Sequence, residues 1–323
     1  MSINRNPRRL RGILPIIQAV ILFTATQCAL AQMPPPPLDD NAGGVLFRAS
    51  IDLVTLNVAV FDGKRRLVSG LGRDSFQVFQ DGKPVKIAEF ANRDVPVSLG
   101  LVIDSSASMI DKRLQSVAGA VELMRGSKPQ DEVFFVDFKD TVDLVQDFTN
   151  DFAKVEGALN RIRLFGGTAV MDALRVGIDQ MKKAHRDKKV IVLLTDGEDD
   201  SSEIELAPLL ALLQKSDVTV YTIGLLSQET GGRRRNAEKF LSEAAKVTGG
   251  VAYFPRSVEQ VQLLGQAIAH DIRNQYVLGY QVPAGTPRGF RAVKVAAASK
   301  PHGNLTARTR TGYFYDPNAA PSR

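Results

Sequence analysis

The chain has 323 residues, of which 44% are apolar and 24% charged, with a formal net charge of +6. This composition is globular rather than disordered, and the length suits one large domain or two ordinary ones. The basic excess is no argument for nucleic-acid binding, because residues 1–31 hold four arginines and no acidic residue and the remainder carries only +2.

Arg5, Arg8, Arg9 and Arg11 precede an apolar stretch at 13–23, and the small-residue site Ala29-Leu30-Ala31 follows. A charged start, a short apolar run and an A-x-A site predict a secretory signal peptide over residues 1–31. The apolar run is short for a membrane span; an uncleaved signal anchor is the alternative. The lone cysteine, Cys28, follows Gln27 directly, which speaks against a lipid anchor and leaves the mature chain without disulfides. An exported domain of this size buries enough core to do without them. The expected location is periplasmic or extracellular, with no stable membrane anchor after cleavage. Residues 32–50 contain Pro34 to Pro37 in an unbroken run and read as an extended linker.

Residues 51–96 read as β-structure. Val54, Leu56, Val58 and Val60 alternate with Thr55, Asn57 and Ala59, a period of two. A second strand at 76–79 leads through Asp81-Gly82, a hairpin turn, into a third at 85–90. Residues 97–275 alternate strand and helix. An apolar strand at 97–104 is followed by Ile110, Leu114, Val117, Val121 and Met124, spaced to share one helical face. Strands at 133–138 and 141–145 form an edge hairpin. Val170, Leu174, Ile178 and Met181 mark a helix, 190–194 a strand, 206–213 a helix and 218–223 a strand. A helix at 237–247 stops at Gly249-Gly250, and a short strand at 251–254 follows. Ser257 with Gln260 predicts a capping box opening the helix that carries Val258, Val261, Leu264, Ile268 and Ile272. Residues 276–316 return to strands, at 276–282, 291–297 and 305–310, and residues 317–323 are a tail. Alternating strands and helices predict a doubly wound, mostly parallel sheet. Strand-rich segments on both sides suggest that it is inserted in, or flanked by, a small β-sandwich; two separate β extensions are the alternative.

The chemistry concentrates where strands end. Asp104 closes the strand at 97–104, and Ser106 and Ser108 follow at alternate positions. Such residues often merely cap the next helix. The strand at 190–194 ends in Thr195-Asp196-Gly197, and between the two lies Gly166-Gly167-Thr168, a tight turn before a helix. Three loops contribute oxygen and none contributes nitrogen or sulfur. Oxygen donors suit a hard divalent cation and disfavour zinc, which prefers His and Cys. Ligands in doubly wound sheets bind outside the carboxyl ends of the strands, at the topological switch point.

D-x-S-x-S, a loop Thr and a strand-end T-D-G, in that order, resemble the metal-ion-dependent adhesion site of von Willebrand factor type A (VWA) domains. The matching positions are Asp104, Ser106, Ser108, Thr168 and Asp196, with no departure in residue type. The resemblance implies a six-stranded, mostly parallel sheet. It also implies Mg²⁺, with Mn²⁺ or Ca²⁺ possible, approached directly by Ser106, Ser108 and Thr168 and largely through water by Asp104 and Asp196. An Asp or Glu of a protein partner would complete the shell. Residues 56–62, 76–82 and Gly312-Tyr313-Phe314 resemble the flanking strands of a bacterial, acidobacterial-type exported VWFA-related family, a likeness covering roughly residues 50–316.

The run Glu198, Asp199 and Asp200 could widen the site or draw a second cation, although such runs are commonly solvated. Arg233, Arg234 and Arg235 read as an exposed loop or protein contact, with no interleaved aromatic residues to suggest nucleic acid. His185, His270 and His302 match no ligand spacing. An aspartyl-phosphate hydrolase needs a second aspartate where Ser106 stands, and no phosphate-binding G-x-x-x-x-G-K-[ST] loop is present. The expected function is therefore non-enzymatic protein binding in adhesion or envelope assembly. The alternatives are a metal-dependent hydrolase using the same site and a structural envelope module.

Overall fold

The computed structural model describes residues 53–318 except Arg93, Glu198, Ser227, Gln228 and Val258. The signal-peptide and linker expectations, and most of the tail, fall outside the described residues. Among the described residues no helix is long and apolar enough to cross a membrane.

The chain opens with β1 (Leu53–Phe61), β2 (Phe76–Gln80), β3 (Lys83–Val85) and β4 (Ile87–Ala91). It then enters an α/β unit: β5 (Val97–Asp104), α1 (Arg113–Arg125), β6 (Glu132–Phe138), β7 (Val142–Thr149), α2 (Phe152–Leu159) and α3 (Val170–Met181). The unit continues through β8 (Lys188–Thr195), α4 (Leu206–Lys215), β9 (Thr219–Gly224), α5 (Gly231–Thr248), β10 (Ala252–Tyr253) and α6 (Gln260–Arg273). Five strands close the chain: β11 (Tyr276–Gln281), β12 (Gly289–Ser299), β13 (Gly303–Asn304), β14 (Thr306–Arg308) and β15 (Gly312–Tyr315).

The six central strands lie in the order β10-β9-β8-β5-β6-β7, and only β7 runs antiparallel to its neighbour. Every residue of β5 is buried, as expected of a strand covered on both faces. Leu99, Leu101 and Ile103 face a core shared with α1, α2 and α6, whereas Val102 faces one shared with α3, α4 and α5. Chain order runs outward from β5 to β6 on one side and returns to β8 on the other. The switch point therefore lies between the carboxyl ends of β5 and β8, paired in parallel from Val97↔Lys188 to Ile103↔Leu194.

The flanking strands form a second core. β1 pairs antiparallel with β11, and β2 with β12, so each pairing joins the N-terminal flank to the C-terminal one. One sheet has the order β14-β1-β11-β4; the other has β13-β12-β2-β3, with β15 on β12. Leu56, Val58, Val78, Leu278 and Tyr280 are fully buried within this core. The Tyr280 and Tyr313 hydroxyls both donate to Gln80 Oε1, at 3.1 and 2.9 Å, which satisfies three buried polar groups together.

Four local expectations need correction. The strand expected at 85–90 is divided at Lys86: β3 pairs with β2 and β4 with β11, in different sheets. Ile110 and Leu114 are 59% and 79% exposed rather than on the packed face of a helix. Val117, Val121 and Met124 do pack on the core, together with Ala120 and Leu123, and only the closest approach to α6 uses small residues. A Cβ on Gly119 would lie 2.6 Å from Val261 Cγ1, and one on Gly265 would lie 2.3 Å from the Gly119 carbonyl oxygen, so α1 and α6 meet almost backbone to backbone. The arginine run lies in the first turns of α5 rather than a loop, with Arg234 paired to Glu238 one turn on. The capping box does not form as read: Gln260 Oε1 accepts from the Arg256 N–H at 3.0 Å instead.

Candidate functional site

The parallel pairing of β5 and β8 brings Asp104 and Asp196 to the same end of the sheet. Asp104 Oδ1 accepts from the Ser106 N–H at 2.8 Å, and its Oδ2 from the Thr195 hydroxyl at 2.5 Å. The first bond folds the chain back after the strand and turns residues 107–112 into a 3-10 helix. That turn puts Ser106 Oγ 3.1 Å from Ser108 Oγ, while Ser108 Oγ donates to Asp196 Oδ1 at 2.8 Å. Asp104, Ser106 and Asp196 are buried, and Ser108 lies on the exposed rim. Burial pushes the Asp104 carboxyl up to about 6, against the hydrogen bonds it accepts, with the neighbouring Asp196 adding to the rise.

Thr168 arrives from the loop before α3. The Ala107 N–H donates to the Gly166 carbonyl at 3.2 Å and the Phe165 N–H to that of Ser105 at 3.1 Å, so this loop is laced to the one leaving β5. Gly166 has φ +78, a conformation that favours glycine, and the Asp140 carboxylate lies close beside it. A Cβ on Gly197 would lie 3.8 Å from Thr168 Oγ1, which puts that buried hydroxyl beside the loop leaving Asp196. The five residues singled out from the sequence thus gather at one sheet end.

The acidic run after Asp196 is engaged with the backbone that leads into α3. Asp200 Oδ1 accepts from the Thr168 N–H at 2.7 Å, and Asp199 Oδ2 from the Met171 N–H at 2.8 Å. These two carboxylates satisfy free N–H groups before and in the first turn of α3, where negative charge is favoured. They hold the Thr168 loop in place. Glu198 lies outside the described residues.

Sequence reasoning missed Lys112. Its side chain is buried and its ammonium is ion-paired with Asp196 Oδ2, with the Ser108 carbonyl 3.4 Å away. No motif flags a lysine here; the only signal is a cation spaced one helical turn after Ser108. Among the described residues no three His, Cys, Asp or Glu side chains converge to hold a metal. The candidate set consists instead of two carboxylates and three hydroxyls. Its donors are those of a hard-cation site, and a cation, the Lys112 ammonium, already sits against it.

The family model described as the von Willebrand factor type A domain matches residues 99–198, a span that contains all five site residues. The chain carries a von Willebrand factor type A domain. An uncharacterized protein of Synechocystis sp. is 28% identical over 185 residues, covering 55% of this chain and 42% of the relative. Inter alpha-trypsin inhibitor heavy chain 4 of Mus musculus is 27% identical over 128 residues, 35% of this chain and 14% of the relative. The chain thus spans less than half the length of these curated relatives. Among solved structures, a von Willebrand factor type A protein from Catenulispora acidiphila aligns with a TM-score of 0.46 at 13% identity, over 84% of this chain and 76% of that one. The central sheet of the VWA domain carries the site at its switch point, and the sandwich flanks that domain in sequence on both sides.

Proposed function

We propose that the VWA domain binds a divalent cation, Mg²⁺ first, and through it an Asp or Glu of a protein partner. Asp104, Ser106, Ser108, Thr168 and Asp196 would hold the ion. When bound, it supplies concentrated positive charge for a carboxylate. Three of the five donors are neutral hydroxyls, which bind without cancelling that charge. The two carboxylates are engaged by hydroxyl, amide and ammonium donors, which keeps the oxygen set together.

The observation that carries a protein partner, rather than a small anion, is the apolar rim. Ile110 and Leu114 are 59% and 79% exposed just after Ser108, and Phe165, 50% exposed, stands two residues before Gly167. Large apolar side chains held in solvent around a polar centre are the usual make-up of a protein contact. The match to a VWA domain supports a protein-interaction module of this kind. Export rests on residues 1–31 and places the partner in the envelope or outside the cell.

Calorimetry with Mg²⁺ and Mn²⁺ on the wild type and on Ser106→Ala tests the metal: the wild type binds, and the variant binds far more weakly while its fold is retained. Capture from envelope extract tests the role. A partner retained in Mg²⁺ should be lost in EDTA and with Asp104→Ala, a loss of about 2 kcal/mol or more for a contact at the centre of an interface. Capture that is indifferent to both treatments would defeat the adhesion-site reading and leave the fold untouched.

A further inference from the structure

Lys112 ends the 3-10 turn that carries Ser106 and Ser108, and it is 4% exposed. Its backbone is anchored, since Ser116 Oγ donates to the Lys112 carbonyl at 2.8 Å. Its ammonium is ion-paired with Asp196 Oδ2 and lies 3.4 Å from the Ser108 carbonyl, while Asp196 Oδ1 accepts from Ser108 Oγ at 2.8 Å. Both oxygens of Asp196 are thus occupied by groups from one short turn. A buried carboxylate without a partner is costly, and here the partner is supplied by the chain itself. Any divalent ion that draws on Asp196 shares its charge with this ammonium or displaces it.

We propose that Lys112 is a tethered cation that competes with the divalent metal at Asp196, holding the site assembled when the metal is absent and setting the metal concentration at which it fills. This rests on the metal-binding reading given above. The consequence is a threshold. With Lys112 in place, metal can leave without exposing an uncompensated pair of buried carboxylates, so the loops keep their arrangement. The same positive charge opposes metal entry, because like charges at close range in a partly buried site repel strongly. Partner binding would then follow the divalent-cation level around the cell and would not depend on a permanently loaded site. The alternative is that Lys112 is an ordinary structural ion pair between the β5 and β8 loops, indifferent to metal.

Lys112→Met keeps the aliphatic stem and removes the charge. Isothermal titration with Mn²⁺ and Mg²⁺ should show at least tenfold tighter binding in Lys112→Met than in the wild type, with Lys112→Arg no tighter than the wild type. In EDTA the Met variant should melt at a lower temperature than the wild type, and saturating Mg²⁺ should restore more of its melting temperature than it adds to the wild type. A second measurement needs no variant. Amine-directed acetylation of the wild type, read by mass spectrometry, should label Lys112 faster in Mg²⁺ than in EDTA, because displacement releases the ammonium. Equal metal affinity in the wild type and Lys112→Met overturns the proposal, as does weaker binding in the variant or labelling unchanged by Mg²⁺. Absence of metal binding in both proteins overturns it together with the adhesion-site reading, whereas equal, measurable binding overturns this proposal alone.

Discussion

Lys188 opens β8 at the end of the sheet away from the site. The residue is 2% exposed, and its ammonium is hydrogen-bonded to the Ile272 carbonyl. Burial, with the nearby Arg273 adding to it, brings its pKa down from 10.5 to about 8, although Asp94, Asp271 and Asp131 pull the other way. The unfolded chain therefore binds more protons than the folded one between about pH 8 and 10.5, and stability from this group rises with pH in that window. Below about pH 8 the full penalty applies, about 3.4 kcal/mol for a pKa moved from 10.5 to about 8. At pH 10 the same two values leave about 0.8 kcal/mol, so roughly 2.5 kcal/mol is recovered between pH 7 and 10. Lys188→Met removes the titration but also leaves the Ile272 carbonyl unpaired and alters packing. Those costs do not vary with pH. The quantity to measure is thus the wild-type-minus-variant difference in urea unfolding free energy at pH 7, 8, 9 and 10. It should shift in favour of the wild type by about 2 to 3 kcal/mol across the series. A difference that stays flat from pH 7 to 10 would show that Lys188 keeps an ordinary lysine pKa in its buried position and would refute the reasoning.

Gly265→Ala should cost about 1 to 3 kcal/mol in thermal or urea unfolding, because the new methyl meets the Gly119 carbonyl and neither helix backbone can yield cheaply; an unchanged midpoint would mean that α1 and α6 are less tightly apposed. Arg308 of β14 reaches across to the VWA domain, where it pairs with Asp271 of α6 and donates to the Gly249 carbonyl at 3.0 Å. Asp271 is 4% exposed, so Arg308→Met should cost about 3 kcal/mol or more by leaving that carboxylate without its cation. Adding Asp271→Asn should return much of the loss, and a double variant as unstable as the sum of the two single ones would rule out the pairing.

The Asp271–Arg308 pair shows how the two cores are connected. Asp271 Oδ2 also accepts from the Tyr221 hydroxyl at 2.9 Å, and Gln275 donates to the same hydroxyl at 2.8 Å immediately before β11 begins. The path from the central sheet to the sandwich therefore runs through buried polar groups. Such contacts lose much when one member is removed, because the remaining groups stay buried and unpaired.

Much of this protein was legible in the chain. Uninterrupted apolar runs announced β5 and β8, because a strand covered on both faces has no polar positions to spare. The 3.6-residue spacing of Val170, Leu174, Ile178 and Met181 announced α3, and all four are buried. The order of D-x-S-x-S, Thr and T-D-G named the residues that gather at the sheet end, since oxygen donors just past strand ends have few other common uses than capping. Pairing and approach were decided by the tertiary structure. Periodicity finds an apolar face but not its partner, so it placed Ile110 and Leu114 in the core. The core takes Val117, Ala120, Val121, Leu123 and Met124 from α1, and the missing side chain of Gly119 lets α6 come close. The strand after Asp81-Gly82 reads as one because nothing local in residues 85–90 says that two sheets will claim its halves. Lys112 was silent for the same reason. A lysine at the end of a short 3-10 turn is ordinarily solvated, and only the parallel pairing of β5 with β8, which sets Asp196 beside a residue 84 positions earlier, makes it a buried counter-ion.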